Sequence, residues 1–169
     1  MTIRTRPTPP RTDFDPAEHH AALASFLRRM GVRGDLEDVV QEAFLRAVRT
    51  PPDGAPRPYL YSVALNVLRD RGRKAERAGR ALPGAARIDH RTVADPADVI
   101  EDRDLAAKAW AVIDRLPDRQ RAALVLRIHE QFTYREAARA LSCSEATARQ
   151  HFYLGMKAVR AALAGESDD

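Results

Sequence analysis

The chain has 169 residues, a formal net charge of +4, 31% charged residues and only 6% aromatic ones. That length accommodates one ordinary domain or two small ones, and a mild basic excess suits a chain that gains affinity by displacing counterions from nucleic acid or anionic membrane. Cys143 is the only cysteine, which excludes an internal disulfide and a cysteine-held zinc, and no apolar run approaches the roughly 20 residues of a bilayer span. The expectation is a cytoplasmic, all-α protein with no membrane insertion.

In chain order, residues 1–14 combine Pro7, Pro9 and Pro10 with basic residues and no apolar period, the composition of a disordered arm. A first module is expected over residues 15–77. From Pro16, placed like an N1 proline behind a possible Asp15 cap, Leu23, Phe26, Leu27 and Met30 recur on one helical face, and Gly31 and Gly34 end that helix. Asp35 is placed to cap a second helix. Along it Leu36, Val39, Val40, Ala43, Phe44 and Ala47 form an apolar stripe, opposite Glu37, Asp38, Gln41 and Glu42. Thr50 to Pro58 reads as a proline-rich turn. Leu60, Val63, Ala64, Val67 and Leu68 then make a third stripe, so three helices can share one core.

Residues 78–97, with Gly79, Pro83, Gly84 and Pro96, read as a flexible linker. A second module over 98–164 opens with Leu105, Ala109, Val112, Ile113 and Leu116 on one face, stopped by Pro117, which suits N1 of the next helix. That helix carries Leu124, Val125, Leu126 and Ile128. Thr133 and Glu136 then make a capping box for a short helix from Tyr134 to Ala140. Leu141-Ser142-Cys143 is a tight connection, Ser142 or Ser144 caps a last helix, and the pair reads as helix-turn-helix. Residues 165–169 form an acidic tail.

Two surfaces carry functional signals. Arg69, Arg71, Arg73, Lys74, Arg77 and Arg80 crowd the end of the third helix, a pattern that fits either phosphate neutralisation or a solvated helix end complementing the helix dipole. Tyr59, Tyr61 and Asn66 lie just upstream, adding the stacking faces and amide that single-strand binding uses. In the second module, Glu145, Thr147, Arg149 and Gln150 open the last helix, where a recognition helix meets base edges. Gln150 suits adenine and Arg149 suits guanine or phosphate.

Asp38-Val39-Val40-Gln41-Glu42-Ala43-Phe44-Leu45-Arg46-Ala47 and Tyr59-Leu60-Tyr61-Ser62-Val63-Ala64-Leu65-Asn66, continued by Asp70 and Arg73, resemble region 2 of the extracytoplasmic-function (ECF) sigma factors of the sigma-70 family. Leu116-Pro117, Gln120-Arg121, Leu124, Leu126-Arg127, Phe132 to Ala138 and Ser144 to Thr147 resemble that family's region 4. The resemblance implies a transcription initiation factor with two helical domains. Asp38, Gln41 and Glu42 would dock the β′ clamp helices of core RNA polymerase, with Phe44 kept for core packing. Tyr59, Tyr61, Asn66, Arg69, Arg73 and Lys74 would capture the minus-10 element of promoter DNA. Glu145, Thr147, Arg149, Gln150 and Lys157 would bind the minus-35 element. The polymerase β flap and an anti-sigma factor are further partners the resemblance implies.

Tyr59 stands where the family has tryptophan, Leu65 where it has arginine and Ser142 where it has a turn glycine. Phe152 to Met156 is apolar where basic residues are usual, so this segment either packs inside the module or meets a partner, and minus-35 binding is expected to be weaker. Cys143 fills a small apolar position and is expected to be a buried thiol. His129-Glu130 begins like a zinc-protease motif, but Thr133 stands where the second histidine is required. No metal site, cofactor or catalytic residue is expected, and no enzymatic activity. The rival readings are a sigma-like decoy that binds an anti-sigma factor or polymerase with poor promoter recognition, and a dimeric helix-turn-helix repressor.

Overall fold

The computed structural model describes residues 16–49, 56–79 and 103–164. The arm, most of the linker and the acidic tail expected from the sequence lie outside the described residues, as does the Asp15 cap. Seven helices are present among the described residues, and no strand: α1 (Pro16–Arg29), α2 (Leu36–Arg49), α3 (Pro56–Gly79), α4 (Arg103–Ile113), α5 (Asp118–Ile128), α6 (Tyr134–Leu141) and α7 (Glu145–Ala164). The all-α expectation therefore holds, and no described helix is long and apolar enough to cross a membrane.

In the first module Leu23, Phe26 and Leu27 of α1, Val39, Val40, Ala43 and Ala47 of α2, and Leu60, Val63, Ala64 and Val67 of α3 are buried together. Full burial of each large aliphatic or aromatic side chain contributes roughly 1.5–3 kcal/mol. α1 ends before Gly31, whose φ of 94° takes the left-handed backbone that glycine adopts without strain. α3 begins at Pro56, inside the stretch expected to be a turn, because a proline lacks only an N–H that the first helical turn leaves unpaired. It also runs through Ala78 and Gly79, two residues into the expected linker.

In the second module, Pro117 precedes α5 as its N-cap instead of occupying N1. Thr133 and Glu136 complete the expected capping box, and α6 extends one residue beyond expectation, to Leu141. Ser142 ends α6 in the left-handed region at φ 52°, and Ser144 caps α7, accepting the Thr147 N–H at 3.1 Å. The open choice between Ser142 and Ser144 is thus resolved by a division of labour. α7 lies close on α5 where Gly155 faces Leu124; a Cβ there would stand 2.9 Å from a Leu124 methyl.

The two cores meet. Phe26 and Tyr61 lie with ring centroids 4.8 Å apart, Tyr61 and Phe132 5.1 Å apart, so one aromatic column runs from α1 through α3 into the second module. Arg121 of α5, itself buried, donates to the carbonyls of Ile113 and Asp114 and reaches that of Met30 at 3.4 Å. Burial pushes its guanidinium pKa down, against the nearby Asp114 and Asp118 charges.

Candidate functional site

Three surfaces gather the residues singled out from the sequence. On α2, Asp38 and Gln41 are exposed, and Leu45 and Val48 continue the same stripe at helical spacing, 62% and 59% exposed. Sequence reading missed these two; the available signal was apolar residues lying off the core stripe. Glu42 is committed differently. It binds Arg46 at 2.6 Å and Arg71 at 3.0 Å, and Arg71 also reaches Asp35 at 2.6 Å, so Glu42 ties α2 to α3. Burial raises the Glu42 carboxyl pKa, but Arg71 and Arg46 outweigh it and hold the group below its ordinary value. Asp35 thus spends its carboxylate on Arg71, while its backbone carbonyl accepts the Val39 N–H at 3.0 Å. Phe44 is half-buried and stacks on His20, 6.2 Å between centroids.

On α3, Tyr59, Asn66, Arg69 and Arg73 recur at helical spacing on one side of the helix. Asn66, Arg69, Arg73 and Lys74 are exposed and Tyr59 is half-buried. Arg69 donates to the Asn66 side-chain oxygen at 3.0 Å, and Arg73 pairs with Asp70 at 2.6 Å. Asp70 also takes Arg46 at 2.9 Å, and these hydrogen bonds from Arg46 and Arg73 keep its carboxyl below the ordinary range. Tyr61 stands apart from its companions. It is 0% exposed, packed between Phe26 and Phe132, with its hydroxyl donating to Glu130. Burial first, then the Glu130 carboxylate, pushes its phenol pKa far above the usual value.

The third surface is the start of α7. Glu145, Arg149, Gln150 and Lys157 are exposed. Thr147 is half-buried, its hydroxyl 2.7 Å from that of Ser144. Arg149 pairs with Glu145 at 3.1 Å and lies 4.9 Å from the Tyr134 ring centre, so its guanidinium is held over the first residue of α6. The apolar segment divides: Phe152 packs edge-on against Tyr134 and Gly155 is buried, whereas Tyr153 is 62% exposed on the stripe shared by Arg149 and Lys157. Cys143 is half-buried, and burial raises its thiol pKa.

Glu130 was set aside in the sequence as half of a failed metal motif. It is in fact 6% exposed, accepting from Arg57 at 2.9 Å and from Tyr61. No sequence signal marked it, because both partners lie about seventy residues upstream. Among the described residues no group of three or more histidine, cysteine or acidic side chains is placed to hold a metal.

Residues 17–78 match the family model for sigma-70 region 2, and residues 107–159 match that for sigma-70 region 4. The ECF RNA polymerase sigma-E factor of Escherichia coli (strain K12) is 26% identical over 149 residues, covering 81% of this chain and 78% of that protein. The ECF RNA polymerase sigma factor SigE of Mycolicibacterium smegmatis is 30% identical over 149 residues, covering 84% of this chain and 57% of that protein. Among solved structures, the sigma factor RpoE in complex with the anti-sigma factor NepR from Bartonella quintana superposes with a TM-score of 0.73 at 18% identity, over 90% of this chain and 95% of that one, a likeness of fold. CnrH, in complex with the cytosolic domain of CnrY, superposes with a TM-score of 0.59 at 25% identity, over 90% of this chain and 86% of that one. With region 2 followed by region 4 on an all-helical frame, the chain belongs to the extracytoplasmic-function group of the sigma-70 family and is an RNA polymerase sigma factor.

Proposed function

We propose that this sigma factor docks core RNA polymerase through α2, captures unpaired minus-10 bases along α3 and reads duplex minus-35 DNA with the first turns of α7. The polymerase would supply the chemistry, in the cytoplasm, and this chain promoter selection and strand opening. The observation that carries the reading is the capped start of α7, where Ser144 fixes the turn and leaves Arg149 and Gln150 exposed beside Glu145.

The α2 stripe of Asp38, Gln41, Leu45 and Val48 has an apolar centre with a polar edge, the composition of a helix-docking surface, and suits the β′ clamp helices. Glu42 contributes by holding α2 against α3. On α3, the Asn66 amide offers both donor and acceptor to a base edge, Tyr59 offers a stacking face, and Arg69, Arg73 and Lys74 attract the strand's phosphates. On α7, the Arg149 fork and the Gln150 amide match purine edges in the major groove, Lys157 meets phosphate, and Tyr153 adds a ring to that face. Thr147 acts mainly by keeping the turn in place. Exposed Leu154 and Ile128 supply apolar surface for the β flap. An anti-sigma partner belongs to the same proposal, since the sigma factor RpoE, of like fold, was solved in complex with the anti-sigma factor NepR.

Reconstituted transcription tests the reading: the purified chain, sigma-free core polymerase and a promoter library, with sequencing of the transcripts. Promoter-specific starts are expected only when all three are present. Core binding without specific starts would favour the decoy, and DNA binding independent of polymerase would favour a repressor.

A further inference from the structure

Resting on that reading, we propose that the two modules close on each other through a latch centred on Glu130, and that the closed form hides Tyr61, so that strand capture requires the latch to open. Glu130 follows α5 in the turn to α6, where Gln131 takes φ 54° and the chain bends to present both Glu130 and Phe132 to α3. Four contacts converge there. The Glu130 carboxylate accepts from Arg57 at 2.9 Å and from the Tyr61 hydroxyl; the Phe132 ring lies 5.1 Å from that of Tyr61; and the Arg57 guanidinium lies 4.7 Å from the Phe132 ring centre. Immediately after Tyr61 on α3, the Ser62 and Ser142 hydroxyls meet at 3.2 Å, which brings the helix-turn-helix junction beside the face that carries Asn66, one turn further along.

The chemistry of this contact is that of a reversible closure. Only the Glu130 end of this ion pair is buried, Arg57 being 42% exposed, and the hydration given up by the carboxylate offsets much of the attraction, so the pair adds specificity of register more than net affinity. When the modules part, the carboxylate, guanidinium and phenol all regain water, and the exposed Tyr61 and Phe132 rings bear the main cost. Unpaired bases stacking on Tyr61 would offset that cost, which couples opening to DNA capture.

The test uses the full chain with Ser62→Cys and Ser142→Cys together, in a Cys143→Ser background so that the neighbouring thiol cannot compete. The expected result is near-complete intramolecular disulfide formation under mild oxidation at low protein concentration, read by loss of free thiols and gel mobility. With core polymerase, the cross-linked protein is expected to give at least tenfold fewer open complexes than the same sample after reduction. Each single-cysteine control should be indifferent to oxidation. Failure to cross-link overturns the closure, and full activity of the cross-linked form overturns the masking. Adding Glu130→Gln is expected to slow cross-linking several-fold; an unchanged rate removes the carboxylate from the latch. If the wild-type and reduced proteins both fail to initiate, the sigma reading falls with the masking, while cross-linking yield still decides whether the modules close.

Discussion

The α7 face and the α3 face are both assigned to DNA, yet the chain holds them in different states. Glu145, Arg149, Gln150 and Lys157 stand free of the other module on a rigid helix set by Ser144, a form that enters a major groove without rearrangement. On α3 Asn66 is exposed, but Tyr61 is sealed beneath Phe132 and Glu130. On the proposed function, the difference follows from what each face would bind. Duplex is read by polar forks that are stable in water, whereas unpaired bases are held by aromatic surface, which is costly to leave bare before DNA arrives.

The largest expected effect falls on a ring that serves both the core and the covering of Tyr61. Phe132→Ala removes a ring shared by the second core and the Tyr61 contact, and is expected to lower stability by about 3–5 kcal/mol in chemical denaturation. A loss below about 1 kcal/mol would mean the ring contributes little to either. Next, Gly155→Ala sets about 1 kcal/mol of helix propensity gained against about 1–3 kcal/mol of overpacking against Leu124, for a net loss on the order of 1 kcal/mol read as a lower Tm. Stabilisation instead would show that Leu124 can swing aside.

The two DNA faces are then separable by paired variants. Arg149→Ala should weaken minus-35 duplex binding about tenfold, the low end of one specific base contact, and leave melting of bound promoter unchanged. Asn66→Ala should do the reverse, slowing open-complex formation with duplex affinity intact. Equal effects of both variants on both assays would erase the comparison. The smallest effects belong to the start of α6, the helix that precedes the proposed duplex reader. Thr133→Ala should cost about 1 kcal/mol. Glu136, its partner, has a carboxyl held below the ordinary value first by the Thr133 backbone N–H and then by its hydroxyl. Its contribution is therefore complete above the ordinary carboxylate pKa of about 4.3 and fades as pH falls through the lower folded value. Glu136→Gln, which keeps a capping-box side chain, should flatten that part of the stability-versus-pH curve.

Local patterns were legible wherever neighbours within four residues decide the outcome. The stripe from Val39 to Ala47, the Thr133–Glu136 box and the helix-turn-helix at Ser142 to Ser144 all have this character, and the region 2 and region 4 matches rest on the same stretches. Less legible were the partners of charged groups. Glu42 read as a docking residue from the region 2 resemblance and its place on the polar face of its helix, but its carboxylate is held by Arg46 and by Arg71, the latter on another helix. Leu45 and Val48 escaped notice because an apolar residue outside the core stripe has no periodic signature of its own.

What the chain's order of residues determined by itself is the set of helices, the Thr133–Glu136 capping box and the two-module grouping, since hydrophobic period and capping act over a few residues. Only the tertiary structure decided that Tyr61 is covered, that Glu130 holds Tyr61 and Arg57, and that Arg121 is buried with a carbonyl of the other module in reach. Those contacts join positions 69 to 91 residues apart, and a choice among distant partners depends on how whole helices pack, which no local pattern carries.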